Sequence, residues 1–132
     1  MKYMLLTYLD EKAWLALTPE QQKREMEACG PHVEKMMAQK KIIAGAPLRE
    51  TATATTLRHR DGKTLMTDGP FAETREQLGG FTIVDATDLD DAIAVAKGFL
   101  AASTGPNSIA TIEVRPIVEL GGPVPTTPGE QR

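Results

Sequence analysis

A strand at the start, two helical stretches, several strands between them and a closing strand predict an α+β domain on an antiparallel sheet. Three observations carry this: the aromatic- and Leu-rich run 2–9, a hairpin signal at Asp61-Gly62, and an acid-capped apolar helix from 88 that precedes the alternating run 109–117. Two main helices interleaved with such a sheet give the ferredoxin-like layout, both helices on one sheet face. The other face has apolar candidates of its own, so face-to-face homodimerisation is the expected way to cover it.

Each element has a local reason. KYMLLTYL at 2–9 is too short for a typical helix and rich in strand formers, and it ends in the charged cluster Asp10-Glu11-Lys12. Thr18-Pro19-Glu20-Gln21 is a helix start: Thr18 caps, Pro19 takes the first helical position, and Gln21 closes a capping box. The helical pattern runs towards Gln39 with a kink or restart expected at Gly30-Pro31, where proline removes a donor. Val33, Met36 and Met37 follow at helical spacing as expected core. Lys41–Gly45 reads as a short strand.

The Thr-rich stretch 52–60 leads into Asp61-Gly62, a two-residue turn in which both positions take positive φ. That turn dictates pairing: Arg60 opposite Lys63, His59 opposite Thr64, Leu57 opposite Met66, and Thr55 opposite Asp68. Alternation puts Asp68 on the face of Leu57 and Met66, and we expect it to aim at a sheltered hollow. Residues 80–86 read as a further strand. Asp88 caps a helix over Leu89, Ala92, Ile93, Val95, Ala96 and Leu100, with Asp90 and Asp91 in its first turn. In 109–117, Ala110, Ile112 and Val114 point one way and Thr111, Glu113 and Arg115 the other. The Pro/Gly-rich segment 119–132 is an expected tail or partner-binding arm, leaving 1–118 as one domain.

Composition narrows the function classes. The 132 residues are 41% hydrophobic and 25% charged, ordinary for a globular domain, with a net charge of −3. Such a balance argues against a nucleic-acid binder that depends on bulk positive charge. No apolar run is long enough to span a membrane, no leader pattern opens the chain, and a lone Cys29 fits a reducing compartment, so the expected location is cytoplasmic. Two-cysteine motifs, His-x-x-x-His and a phosphate-binding glycine loop are missing, so neither a metal nor a cofactor is expected.

The candidate for chemistry is the stretch DGPFAETREQLG, 68–79, too long for an ordinary hairpin connection. Phe71 and Leu78 can anchor it, and Asp68, Glu73, Arg75 and Glu76 give it charge. Here the sequence resembles the YCII-related family in its DGPF-motif branch. The resemblance rests on TDGPFAETREQLGGF at 67–81 with MKYMLLTY at the start, TATT at 53–56, DATDLDDAIAVA at 85–96 and IEVRPI at 112–117. It implies a ferredoxin-like fold and dimers of the α/β-barrel type. For function it implies two alternatives. One is a small-molecule enzyme, as in a relative that dehydrochlorinates a chlorinated hydroxyquinol. The other is a non-catalytic dimeric accessory protein linked to an extracytoplasmic-function sigma factor. The family usually has Lys where this chain has Arg75, which cannot give up its proton near neutral pH. YciI-like members carry a His–Asp pair, and the resemblance implies His32, ahead of Ala44, Gly45 and Pro47, as the position corresponding to that His, at a spacing that departs from the family's.

The residues themselves leave two readings at each position. Asp68 is either a general base for proton abstraction or elimination, or an Asx-turn cap over Gly69–Phe71. His32 is either its proton partner or a helix surface residue. Glu73, Arg75 and Glu76 are either a solvated ion cluster or a pocket mouth, with Phe71 beside them. Glu113 and Arg115 face away from the buried side, as an intersubunit salt bridge or as anion-recognising groups. His59 is expected to be exposed and Cys29 to be structural.

Overall fold

The computed structural model describes residues 1–103, 105 and 111–119. Its elements are β1 (Lys2–Leu9), α1 (Glu11–Leu15), α2 (Pro19–Ala28), α3 (Gly30–Ala38), β2 (Ile42–Pro47), a single 3₁₀ turn at Thr51–Thr53, β3 (Thr55–Arg60), β4 (Lys63–Asp68), β5 (Gln77–Asp85), α4 (Leu89–Ala102) and β6 (Thr111–Pro116). The main sheet runs β2-β5-β1-β6, all neighbours antiparallel, and β3 pairs with β4 in a separate two-stranded sheet. With that hairpin set aside the path is strand–helix–strand–strand–helix–strand, compatible with the ferredoxin-like layout.

Local chemistry accounts for the helix ends. The Thr18 hydroxyl accepts from Gln21 N at 3.2 Å while the Gln21 side chain accepts from Thr18 N at 2.9 Å, completing the box that starts α2. Helix α2 ends at Ala28 and α3 restarts at Gly30, with Pro31 in its first turn, as the Gly30-Pro31 reading expects. Asp88 accepts from Asp91 N at 2.8 Å to begin α4. The Asp61-Gly62 turn has φ of 53° and 75°, and the β3–β4 register is the one that turn dictates, including Leu57 opposite Met66 and Thr55 opposite Asp68.

The core lies between one face of the main sheet and helices α3 and α4. Along α4, Ala92, Val95, Ala96 and Phe99 form the buried stripe at helical spacing. They meet Tyr3, Leu5, Val84 and Met36, with Ile112 and Val114 packed at the margin. Full burial of a side chain such as Val95 stabilises by about 2 kcal/mol. The opposite face of the sheet, with Met4, Leu6, Tyr8, Phe81 and Ile83 half-buried, has no helix over it among the described residues.

Several expectations need correcting. Met37 is 57% exposed rather than core, because it sits one position off the buried stripe of α3. Strand β5 begins at Gln77, not Gly80: Gln77 and Leu78 pair with Leu9 and Tyr8 across a bulge at Thr7/Tyr8, shortening the connection to 69–76. The short helix α1, capped by Asp10 accepting from Ala13 N, lies outside the elements the sequence pattern predicts. Ile109 and Ala110, the turn residues Thr104, Pro106 and Asn107, and all of the tail except Glu119 lie outside the described residues.

Candidate functional site

The Asp68 loop departs from expectation. Because β3 and β4 stand apart from the main sheet, nothing among the described residues roofs the hairpin, and every residue of β4 is exposed, Asp68 included. Among the described residues its carboxylate accepts no hydrogen bond, so the expected Asx cap is not formed either. The loop is held by other groups. Gly69 N donates to Ala54 O at 2.7 Å, Thr56 Oγ1 donates to Gly69 O at 2.7 Å, and Arg58 donates to Phe71 O at 3.1 Å. Phe71 is 74% exposed, and Glu73 and Arg75 are exposed as well. Glu76 accepts from Thr111 Oγ1 at 3.0 Å, tying the loop's end to β6. Glu113 and Arg115 lie exposed on the helix-free sheet face, opposite Leu6 and Met4 of β1.

His32 belongs to another layer. Its Nε2–H donates to Val95 O at 2.9 Å, and its ring meets Phe99 edge-on with centroids 4.7 Å apart. Gly98 permits this approach: a Cβ there would fall 2.1 Å from His32 Cε1. The imidazole thus fastens α3 to α4 and is not brought together with Asp68. His59 is exposed, and Cys29 is half-buried with Sγ 3.5 Å from Ser103 Oγ.

The register creates a hollow that the sequence did not announce. On the helix-facing side of the sheet, one cross-strand row reads Ile42–Val84–Tyr3–Pro116, the next Gly45–Thr82–Leu5–Val114, and the third Pro47–Gly80–Thr7–Ile112. Side chains shrink towards the β2–β5 corner of these rows. Gly45 and Gly80 sit in tight quarters: a Cβ at Gly45 would lie 2.8 Å from Phe81 O, and one at Gly80 3.0 Å from Thr7 Oγ1. Over this low corner α2 and α3 leave a cleft of about 820 Å³. Val33, Ile42, Phe99, Trp14, Met26 and Met37 line it, and Glu11, Glu25, Arg49 and Glu50 supply its charge.

Thr7 is the distinctive group on that floor. The residue is only 9% exposed, and its hydroxyl has no hydrogen-bond partner among the described residues. No polar side-chain atom among the described residues is both sealed from solvent and unpartnered, so the Thr7 hydroxyl keeps some solvent contact, and Thr7 lines the cleft. At the mouth, Glu11 accepts from Thr51 N at 3.1 Å and Thr51 Oγ1 at 2.9 Å, pinning the 3₁₀ turn. Elsewhere Lys41 Nζ donates to Asp91 at 2.7 Å, and this contact, helped by Thr87 N, holds the Asp91 carboxyl below its usual range. That pair ties the residue before β2 to α4, and neither partner lines the cleft. No group of three or more His, Cys, Asp and Glu among the described residues is placed to hold a metal.

Fold and hollow together define an α+β domain with a concave, largely apolar cleft over its sheet. The chain belongs to the YCII-related family, whose model, the YCII-related domain, matches residues 1–120. It is also 38% identical over 117 residues to an uncharacterized protein of Rhizobium meliloti (strain 1021), covering 89% of this chain and 92% of that one. No helix of the described residues is long and apolar enough to cross a membrane.

Proposed function

We infer that this YCII-related chain is a small-molecule-binding domain that uses the cleft above Thr7, Gly80 and Thr82. One observation carries the reading: a nine-tenths buried threonine presents an unpartnered hydroxyl on the floor of an 820 Å³ hollow with apolar walls. Specific sites are typically of about 300–1,000 Å³, mostly apolar, with few and convergent polar groups. The half-buried Met4, Leu6, Tyr8, Phe81 and Ile83 on the opposite sheet face support homodimerisation, which leaves the cleft of each copy free. The test is a ligand screen by thermal shift on wild type and Thr7→Val. A ligand at 100 times its Kd adds about 2.7 kcal/mol to the folded state. Hits that stabilise both proteins equally would remove Thr7 from the site.

A second reading places acid–base chemistry at the 68–76 loop, with Asp68 as base for proton abstraction or elimination. The observation favouring it is the exposed apolar pair Leu57 and Met66, at 63% and 71%, on the face that Asp68 shares. A second copy covering that face would shelter the carboxylate. Arg75 or Arg115 would then meet substrate charge, with Glu73, Glu113 and Phe71 lining the approach. His32 as proton partner would have only Nδ1 to offer, since Nε2–H is engaged by Val95 O. The same dimer without chemistry is the accessory role, with sigma-factor association as the resemblance implies. Size measurement across a dilution series, with Asp68→Asn assayed for turnover of any hit, separates these readings. A monomer at all concentrations would leave Asp68 unsheltered and end the acid–base reading.

A further inference from the structure

The cleft's own groups restrict what it takes. Three carboxylates, Glu11, Glu25 and Glu50, line it against one guanidinium, Arg49, so its charged groups sum to net negative. None of the four is in an ion pair among the described residues. Glu11 is occupied in holding Thr51, so it contributes charge but few free lone pairs. An anion entering this hollow would lose hydration and meet net negative charge, a penalty that one exposed arginine does not offset.

The floor is more selective still. It offers backbone at Gly45 and Gly80 and hydroxyls at Thr7 and Thr82, with no lysine, arginine or histidine among its lining groups apart from Arg49. A hydroxyl both donates and accepts, so it pairs with an alcohol or a carbonyl without any charge on the ligand. The Phe99, Val33, Ile42 and Trp14 side chains also line the cleft, and they reward flat apolar surface.

We propose that the occupant is an uncharged ring compound, largely apolar, whose hydroxyl or carbonyl group pairs with the Thr7 hydroxyl on the cleft floor. This rests on the ligand-binding reading above and adds the chemical class. Carboxylates and phosphates of the same shape are rejected.

The test is a matched pair of probes, 2-naphthalenemethanol and 2-naphthoate, titrated into the full chain and followed by methyl and amide NMR. The alcohol is expected to shift Thr7, Val33 and Ile42 signals and to bind about tenfold or more tightly than the carboxylate. Thr7→Val should weaken the alcohol by about 2–10-fold, the worth of one neutral hydrogen bond, and Thr7→Ser, which keeps the hydroxyl, should restore most of it. Naphthoate binding in the cleft as tightly as the alcohol would overturn the proposed class while leaving the cleft as a binding site. An affinity for the alcohol unchanged in both variants would overturn the role of Thr7. If neither probe shifts cleft signals in a protein whose spectrum is that of the folded state, the ligand-binding reading falls, and the proposed class with it.

Discussion

Replacing Thr7 by valine should make the protein more stable, contrary to the general rule that core substitutions destabilise. Valine has threonine's shape and favours strands, so packing against the neighbouring rows is kept. What disappears is a hydroxyl inside a residue only 9% exposed, without a partner among the described residues. Burial of such a group costs about 1–3 kcal/mol by mutational measures. Water in the cleft compensates part of that cost, so the gain should lie near the low end, about 1 kcal/mol. For a domain of 132 residues, an unfolding entropy of about 2.1 cal/mol/K per residue turns this into a rise in Tm of about 3–4 °C. Calorimetry together with urea titration measures both quantities. A loss of about 1 kcal/mol would mean that the hydroxyl is satisfied inside the protein, and the case for a ligand partner at Thr7 would be refuted.

Other perturbations have equally definite outcomes. Gly98→Ala should destabilise by about 1–3 kcal/mol, because its Cβ would fall 2.1 Å from His32 Cε1. In a His32→Ala background the same change should turn favourable by up to about 1 kcal/mol through helix propensity, a sign reversal that a double-mutant cycle reads directly. Asp91→Asn should cost about 1 kcal/mol at neutral pH, discounted for the partly exposed Lys41. Since the Asp91 carboxyl titrates below its usual value, its contribution is complete above the ordinary carboxylate range, near pH 4, and fades as pH falls through the lowered folded value. Wild type and variant should therefore converge in stability in strong acid. Asp68→Asn should shift stability by less than about 0.5 kcal/mol, since the carboxylate is exposed; a larger loss in the isolated chain would reveal a structural partner.

What the sequence disclosed was mostly local. The capping box at Thr18–Gln21, the restart at Gly30-Pro31 and the β3–β4 register each follow from chemistry within a few residues, and the structure reproduces all three. Exposure was a different matter. The Asp61-Gly62 turn determines who faces whom in the hairpin, but not whether anything lies behind it, and every residue of β4 is exposed. The α3–α4 fastening joins residues 63 apart in sequence. Gly98, a glycine inside helix α4, was the available signal for a close approach there. The cleft was hidden for the same reason: Gly45, Gly80 and Thr7 sit on three different strands, and only the register puts them at one corner. Glycines on two neighbouring strands, opposite a threonine on the buried face of a third, are the pattern that would have pointed to it.

Intermolecular NOEs between 2-naphthalenemethanol and the protein's methyl groups separate the two candidate locations most directly. We expect cross-peaks to Thr7, Val33 and Ile42 and none to the hairpin. Cross-peaks to Leu57 and Met66 instead, with the strand-floor methyls silent, would move binding to the Asp68 loop and contradict the account.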